Sequence, residues 1–311
     1  MSARARLLLS LAAMTAAAVV TPAWADPVVP KEPSAGVAGA QIWSTDQFVM
    51  HSDIVGRDFL IQVGKPLLPQ AGRSPAVYVL DGNSTFGMVA DMLADDGSHG
   101  DTTPAYVIGV GYPSQQFQDW YTTRVRDLTH VALTPEQLTA VVGVNRATPS
   151  GEGARFQRFL TQELRPLIEA RYPVDPARAI LAGHSLAGLF ATHVLLNDPK
   201  IFDGYIIGSP SLWADRGLLA KASAFKAPAS IPVFLGVGAD EQGEVSSADM
   251  TADTQDLARR LNRHRSGLVV RFQEFKGEGH VTMRPDFFSR ALRFALPPQK
   301  ALPVQSASPT K

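Results

Sequence analysis

The sequence contains no cysteine among its 311 residues. Disulfide bonds are therefore excluded, and so is a lipoprotein anchor, which is attached through a cysteine. A domain of this size can rest on its hydrophobic core alone, because the fraction of surface buried on folding rises with chain length. The composition, with 45% hydrophobic and 19% charged residues, is that of an ordinary globular protein.

Net charge is also absent, since 29 Lys and Arg residues balance 29 Asp and Glu residues. Proteins that bind nucleic acid carry a basic stripe, so no nucleic-acid partner is expected. Any recognition that depends on charge must therefore be local. No cluster of His, Asp and Glu has the spacing of metal ligands, and we predict neither a metal nor another cofactor.

Long hydrophobic runs are absent except near the N-terminus. The single run, Leu7–Val20, is too short for a comfortable membrane span. Arg4 and Arg6 precede it, and Ala23-Trp24-Ala25 follows with small residues at the positions that signal peptidase inspects. We predict a secretory signal peptide over residues 1–25, cleaved after Ala25, and a periplasmic protein without stable membrane insertion.

Two segments are too rich in Pro, Gly, Ala and Ser to form a packed core. Residues 26–40 are predicted to be a flexible lead-in, and residues 297–311 a disordered tail. A single domain is predicted over residues 41–296.

Within this domain, strand patterns alternate with helix patterns. Strands are predicted at 41–63 (a hairpin), 76–80, 105–110, 179–182, 205–207, 233–237 and 269–275, and helices at 88–94, 152–170, 186–196, 213–225, 248–264 and 286–294. Such alternation predicts an α/β fold with a mostly parallel central sheet flanked by helices, and ligands at the carboxyl ends of the strands. Residues 112–151 fit this scheme least well and are predicted to be a lid-like insertion.

One strand–helix junction has the composition of a nucleophile elbow. In Gly183-His184-Ser185-Leu186-Ala187-Gly188, small residues flank a serine between an apolar strand and a helix. The elbow pattern is G-x-S-x-G, so Ala187 stands where that pattern has glycine. We predict that Ser185 is a nucleophile held in a strained conformation, the alternative being a packing turn without chemistry.

A serine hydroxyl needs a base, and in α/β-hydrolases the chain order is Ser, acid, His. Only His193, His264 and His280 follow Ser185. His193 lies within the elbow helix and His264 closes a basic helix end, whereas His280 lies in a loop just past the last strand. His280 is therefore the predicted general base.

The orienting acid is expected after the preceding strand, where Asp240 and Glu241 are adjacent. Glu241, which stands deeper in the loop, is favoured over Asp240, and a Ser–His dyad without an acid stays open. The backbone N–H groups of Leu186 and Asn83 are the candidate oxyanion donors. The segment before Asn83 is equally consistent with a simple tight turn.

Several strings together resemble one family. They are Val79-Leu80-Asp81-Gly82-Asn83, Ala182 to Phe190, Phe202-Asp203-Gly204-Tyr205, Ser209-Pro210-Ser211-Leu212-Trp213 and Gly277-Glu278-Gly279-His280. The sequence resembles the esterase D / enterochelin esterase group of α/β-hydrolases over roughly residues 41–294, with its nearest likeness to periplasmic enterobactin trilactone hydrolases. The resemblance implies an α/β-hydrolase fold and hydrolysis of ester bonds in a catecholate siderophore for iron acquisition. Ser185 then matches the family nucleophile and His280 its base.

The resemblance also implies substrate-binding residues. The family's arginine-rich stretch matches Arg124 and Arg126, which would attract an anionic ferric catecholate, while Trp213 would offer a flat apolar wall. A surface ion pair with Asp127 and a Trp213 buried in the core are the alternatives. Ala187 departs from the family pattern, and the resemblance is weakest in the predicted lid.

Two other functions remain compatible with these residues. One is a general carboxylesterase for feruloyl, acetyl-sugar or short-chain esters, and the other is a non-catalytic siderophore-binding protein on the same fold. The elbow, the ordered histidine and the acidic loop argue against the second, because binding alone requires none of them.

Overall fold

The computed structural model describes residues 42–298, except 69, 115, 143–147, 229, 246–247 and 264–266. The predicted signal peptide, the predicted lead-in, His264 and all of the predicted tail beyond residue 298 lie outside the described residues. Within the described part of the chain, no helix has both the length and the apolar character needed to cross a membrane.

The centre of the fold is a sheet of eight strands in the order β1-β2-β4-β3-β5-β6-β7-β10. The strands are β1 (Thr45–Ser52), β2 (Arg57–Gly64), β3 (Ser74–Leu80), β4 (Tyr106–Gly111), β5 (Val174–His184), β6 (Gly204–Gly208), β7 (Ile231–Gly238) and β10 (Leu268–Phe275), with β8 (Gln242–Val245) and β9 (Ala248–Asp249) forming a separate pair. The β1–β2 and β2–β4 pairs are antiparallel and the other pairs of the large sheet are parallel. The predicted fold is confirmed, including the hairpin at the start of the domain.

Helices cover both faces of the sheet. They are α1 (Gly82–His99), α2 (Phe117–Leu128), α3 (Pro135–Val142), α4 (Gly153–Arg158), α5 (Arg165–Arg171), α6 (Leu186–Asn197), α7 (Gly217–Ala224), α8 (Met250–Arg263) and α9 (Arg284–Ala295), with a π-helical turn at Phe159–Leu164 and a 3-10 turn at Leu212–Ala214. Alternate residues of the fully buried strand β3 enter two separate cores. Tyr78 packs in the larger core with α4 to α8, while Val77 and Val79 pack in the smaller core with α1 and α9. Burial on both faces explains why the sequence of this strand is a continuous apolar run.

The segment 112–151, which was predicted to be a lid-like insertion, contains helices α2 and α3. Val125 and Leu128 anchor α2 in the larger core. Asp127, which is fully buried, also accepts a hydrogen bond from Nη1 of Arg57 on β2, at 3.3 Å. The second half of α2 is thus fixed to the sheet, while its first turn lies beside the carboxyl ends of the strands.

Candidate active site

Ser185 occupies the sharp turn between β5 and α6. Its backbone angles are φ 63° and ψ −123°, a region that residues with a side chain rarely adopt. The Ser185 N–H donates to the carbonyl oxygen of Gly208 on β6, at 2.9 Å, which holds the strained residue against the neighbouring strand. The predicted strained elbow is therefore present, and the Ser185 side chain lines a cavity.

Two glycines permit this turn because neighbouring backbone leaves no room for a side chain. A Cβ atom at Gly183 would lie 2.4 Å from the carbonyl oxygen of Ala187, and one at Gly188 would lie 2.6 Å from that of Gly208. Both distances are far below van der Waals contact, so only glycine fits. Ala187, in contrast, is accommodated as a fully buried residue where the usual elbow pattern has glycine.

His280, which lines the same cavity as Ser185, is hydrogen-bonded to Glu241. The imidazole Nδ1 of His280 lies 2.7 Å from Oε2 of Glu241, whose side chain has no exposed surface. A carboxylate accepts hydrogen bonds but cannot donate them, so Nδ1 is the donor, and in a neutral ring Nε2 then carries no proton. Asp240, the alternative acid, is exposed to solvent.

Glu241 is itself held by two other donors. Its Oε1 atom accepts hydrogen bonds from Oγ of Ser209 at 2.6 Å and from the backbone N–H of Gly238 at 2.7 Å. Ser209 is fully buried and has a positive φ of 37°. These contacts compensate for the burial of the carboxylate and fix its position. Sequence analysis did not identify Ser209 as a supporting residue, although it lies in the Ser-Pro-Ser-Leu-Trp string.

A cavity of about 570 Å³ contains the serine and the histidine. Its lining residues are Asp81, Asn83, Ser84, Thr85, Ser114, Gln116, Phe117, Trp120, Tyr121, Arg124, His184, Ser185, His280, Val281 and Arg284. His184 is adjacent to the base, with ring centroids 4.5 Å apart, and burial lowers its pKa well below the ordinary value. His184 therefore stays neutral beside His280.

The two predicted oxyanion donors begin two helices. Leu186 is the first residue of α6 and Asn83 the second residue of α1, so neither N–H is used by the hydrogen-bond ladder of its own helix. The Asn83 side chain fixes the start of α1 to the end of β4. Its Nδ2 donates to the carbonyl oxygen of Tyr112 at 2.8 Å, and its Oδ1 accepts from the Tyr112 N–H at 2.7 Å.

Arg124 lines the cavity but is already paired. Its Nε and Nη2 donate to the two carboxylate oxygens of Asp81 at 2.8 and 2.6 Å, and only 4% of the residue is exposed. Burial lowers the pKa of Arg124, but the adjacent Asp81 carboxylate outweighs burial and the pKa is raised. The two charges of this pair cancel each other.

The other two predicted substrate-binding residues lie away from the cavity. Arg126 faces Asp127 and Glu152, with nitrogen–oxygen distances of 3.6 and 3.9 Å. Arg124 and Arg126 are two positions apart on a helix and therefore cannot share a face. Trp213 lies in the 3-10 turn, is only 7% exposed and belongs to the larger core, so the expectation that it forms a cavity wall is corrected.

Aromatic residues on α2 form the wall instead. Phe117 and Tyr121 are stacked, with centroids 5.5 Å apart and ring planes at 27°, and Trp120 lies 5.4 Å from Phe117. Phe117 is 70% exposed. The spacing of these residues, i, i+3 and i+4 on a helix, was the signal that sequence analysis passed over.

Metal ligands are not assembled here. Among residues 42–298, with the omissions given above, no group of three or more His, Cys, Asp or Glu side chains is arranged to hold a metal ion. The arrangement instead provides a serine hydroxyl, an imidazole, a buried carboxylate and helix-terminal N–H groups, which are the parts needed for acyl transfer through a covalent intermediate.

Comparison with known proteins identifies the family. The family model described as "Putative esterase" matches residues 52–292. The ferri-bacillibactin esterase BesA of Bacillus subtilis (strain 168) is 35% identical over 266 residues, which are 82% of this chain and 90% of BesA. The crystal structure of the BES protein from Bacillus cereus superposes with a TM-score of 0.71 at 30% identity, covering 84% of this chain and 98% of that one. Siderophore hydrolase EstA from Aspergillus nidulans gives a TM-score of 0.69 at 25% identity, with 83% and 97% covered. This chain therefore belongs to that esterase family, as the resemblance predicted, and is an ester-hydrolysing enzyme with the α/β-hydrolase fold.

Proposed function

We propose that this protein is a serine esterase that hydrolyses the ester bonds of a catecholate siderophore, with Ser185 as nucleophile and His280 as general base. The observation that carries this proposal is the geometry of one cavity. It contains both the strained Ser185 and His280, and behind it the fully buried Glu241 is hydrogen-bonded to the imidazole.

The chemical steps follow from the positions of these groups. His280 accepts the hydroxyl proton of Ser185 as Oγ attacks the ester carbonyl carbon, and the backbone N–H groups of Leu186 and Asn83 stabilise the resulting oxyanion. When the tetrahedral intermediate collapses, the imidazolium returns the proton to the leaving alkoxide. A water molecule then attacks the acyl-enzyme with the same base, which releases the acid and restores Ser185.

Substrate identity rests on relatives and on the cavity wall. BesA is named a ferri-bacillibactin esterase, and a relative from Escherichia coli O6:H1, 27% identical over 224 residues, is named an apo-salmochelin esterase. In this chain, the Phe117–Trp120–Tyr121 wall presents flat apolar surfaces on which the ring of an aromatic acyl group can stack. The same wall also suits a feruloyl ester, which is the second candidate substrate.

The test compares esters that differ in their acyl part. The purified protein should hydrolyse the enterobactin trilactone faster than p-nitrophenyl acetate or methyl ferulate, with products identified by chromatography. Ser185→Ala should reduce turnover by at least about 10⁴-fold and abolish fluorophosphonate labelling. Ser114→Ala, which removes another hydroxyl from the cavity lining, is the matched control and should retain activity.

Two results would contradict this proposal. Faster hydrolysis of methyl ferulate than of the trilactone would favour a general aryl esterase. Absence of both turnover and fluorophosphonate labelling in the wild-type protein would remove the serine mechanism.

We further propose that the enzyme acts in the periplasm. The support is the sequence pattern of residues 1–25 described above. Expression of the full chain in a Gram-negative host should yield a mature protein that begins at Asp26 and is released by osmotic shock. Retention of Met1 in a cytoplasmic fraction would contradict this proposal.

A further inference from the structure

The cavity is lined by two arginine residues, of which only one has a carboxylate partner. Arg124 is neutralised by Asp81, whereas Arg284 makes no ion pair with any carboxylate in the described part of the chain. Nη2 of Arg284 donates to the carbonyl oxygen of Ser84 at 2.9 Å and to Oγ1 of Thr85 at 2.7 Å. Its Nε is buried without a hydrogen-bond partner. Arg284 thus brings an uncompensated positive charge to the cavity.

The one carboxylate of the cavity lining is already engaged by the other arginine. Asp81 is the only carboxylate among the lining residues, and both of its oxygens are bound to Arg124. Glu241 lies behind His280 and has no exposed surface. Helices α1, α6 and α9 also begin at this cavity, with Gly82, Leu186 and Arg284, and the positive ends of their dipoles add to the field there.

A partly buried cation without a counter-charge is unfavourable until a ligand supplies one. Burial lowers the pKa of Arg284, an effect that the nearby Asp81 opposes and Arg124 reinforces. A guanidinium remains charged at any physiological pH, so the cost is relieved by binding an anion rather than by losing a proton. Arg284 and His280 line the same cavity, so a ligand that approaches the base also comes close to the guanidinium.

We propose that Arg284 is the residue that selects negatively charged substrates, by donating hydrogen bonds to an anionic oxygen on the acyl part of the ester. This inference deepens the proposed function and rests on it for the identity of the ester. Among iron chelates, a ferric tris-catecholate is trianionic and a ferric tris-hydroxamate is uncharged. Arg284 should favour the first of these two classes.

Binding can be measured without ester cleavage. Two chelates that lack ester bonds, a ferric tris-catecholamide and a ferric tris-hydroxamate, are tested as competitive inhibitors of p-nitrophenyl acetate hydrolysis. The wild-type enzyme should bind the trianion more tightly than the uncharged chelate. Arg284→Gln should raise the inhibition constant of the trianion about tenfold, as expected for the loss of a charge-assisted hydrogen bond, and leave that of the uncharged chelate nearly unchanged. Arg284→Lys, which retains the charge, should recover part of the preference.

Arg290→Gln is the matched control, because Arg290 is an exposed residue of the same helix outside the cavity. It should leave both inhibition constants at the wild-type value. Urea unfolding of each variant establishes that the fold is retained, and Arg284→Lys gives a second test should Arg284→Gln be unstable.

The outcomes separate this inference from the proposed function. Equal changes for both chelates, or no change for the trianion, would overturn the role of Arg284 even if the trilactone is hydrolysed. A preference for the trianion that depends on Arg284 would support the inference even if the trilactone is not a substrate.

Discussion

The Nδ1 atom of His280 lies 2.7 Å from Oε2 of Glu241, and the other oxygen of that carboxylate is bound by Ser209 and Gly238. The imidazole is thereby held in one tautomer and one orientation. Because Glu241 is completely buried, its charge acts on His280 with little screening by solvent.

Replacement of the acid should therefore impair turnover far more than binding. Glu241→Gln keeps the shape of the side chain but removes the charge that stabilises the imidazolium. We expect kcat to fall about 10⁴-fold with little change in KM, on the scale known for such orienting acids. Steady-state kinetics with p-nitrophenyl acetate would measure this. Asp240→Asn, at the exposed neighbouring carboxylate, should leave kcat almost unchanged. An equally small change of kcat in Glu241→Gln would argue for a Ser–His dyad.

Loss of Arg124 should reduce stability. Arg124→Met leaves the Asp81 carboxylate buried without its partner, which typically costs about 3–5 kcal/mol. Urea denaturation should show this decrease in the free energy of unfolding. The double variant Asp81→Asn with Arg124→Met should regain a large part of it, because no isolated charge remains. A stable Arg124→Met protein with weakened binding of anions would instead support the role first predicted for Arg124.

The exposed ring of Phe117 should contribute to the binding of aromatic acyl groups. Phe117→Ala should raise KM for an aryl ester by roughly three- to tenfold, the range expected for loss of one ring–ring contact, and should spare a short alkyl ester. Val49→Ala removes a similarly exposed apolar side chain from β1, outside the cavity lining, and serves as control. Equal changes for aryl and alkyl esters would exclude ring stacking as the function of Phe117.

Two stacked histidines should make the fold sensitive to acid. The rings of His130 and His193 are parallel, with centroids 3.5 Å apart, and burial together with the proximity of His193 lowers the pKa of His130 from 6.5 to about 3. Between these two values the unfolded chain binds the proton and the folded chain does not. The contribution of His130 to the free energy of unfolding is therefore complete above about pH 6.5, and it is lost as the pH falls towards 3.

The expected loss from His130 is up to about 2 kcal/mol between pH 6.5 and pH 5, since each pH unit in this interval contributes about 1.4 kcal/mol. Unfolding in urea at both pH values would measure it. His130→Phe keeps the contact with Phe190 and should reduce the pH dependence of stability without removing it, because burial also lowers the pKa of His184. His51→Gln, at an exposed histidine, should leave the dependence unchanged. If the free energy of unfolding of His130→Phe changed with pH as much as that of the wild-type protein, His130 would not be the source of the acid sensitivity.

The fold and the catalytic candidates could be predicted from the sequence for the same reason. Continuous apolar strands such as β3, and the chain order of Ser185, Glu241 and His280, are local patterns that the parallel sheet converts into proximity at its carboxyl edge. The two oxyanion candidates, Leu186 and Asn83, likewise stand directly after strands or strand-end turns.

The substrate-binding residues were harder to predict because they depend on which side of an element faces the cavity. Arg124 and Arg126 fell within the predicted lid-like insertion 112–151, for which no helix was assigned. Only the observed helix α2 shows that the two side chains diverge. Trp213 follows a recognisable string, yet that string does not say whether the indole faces the core or the solvent. Arg284 lay outside the predicted helix 286–294, and its lack of a carboxylate partner is a property of tertiary structure alone.

Gly183 and Gly188 lie so close to neighbouring backbone that their substitution would disturb the fold rather than the chemistry. A saturation mutagenesis screen scored only by loss of esterase phenotype would rank Gly183 and Gly188 beside Ser185, because any larger residue there displaces backbone of the adjoining strand or helix. Those glycine variants would fail through misfolding and low abundance, whereas Ser185→Ala would accumulate normally. Expression level scored in parallel would therefore distinguish the scaffold from the chemistry at neighbouring positions.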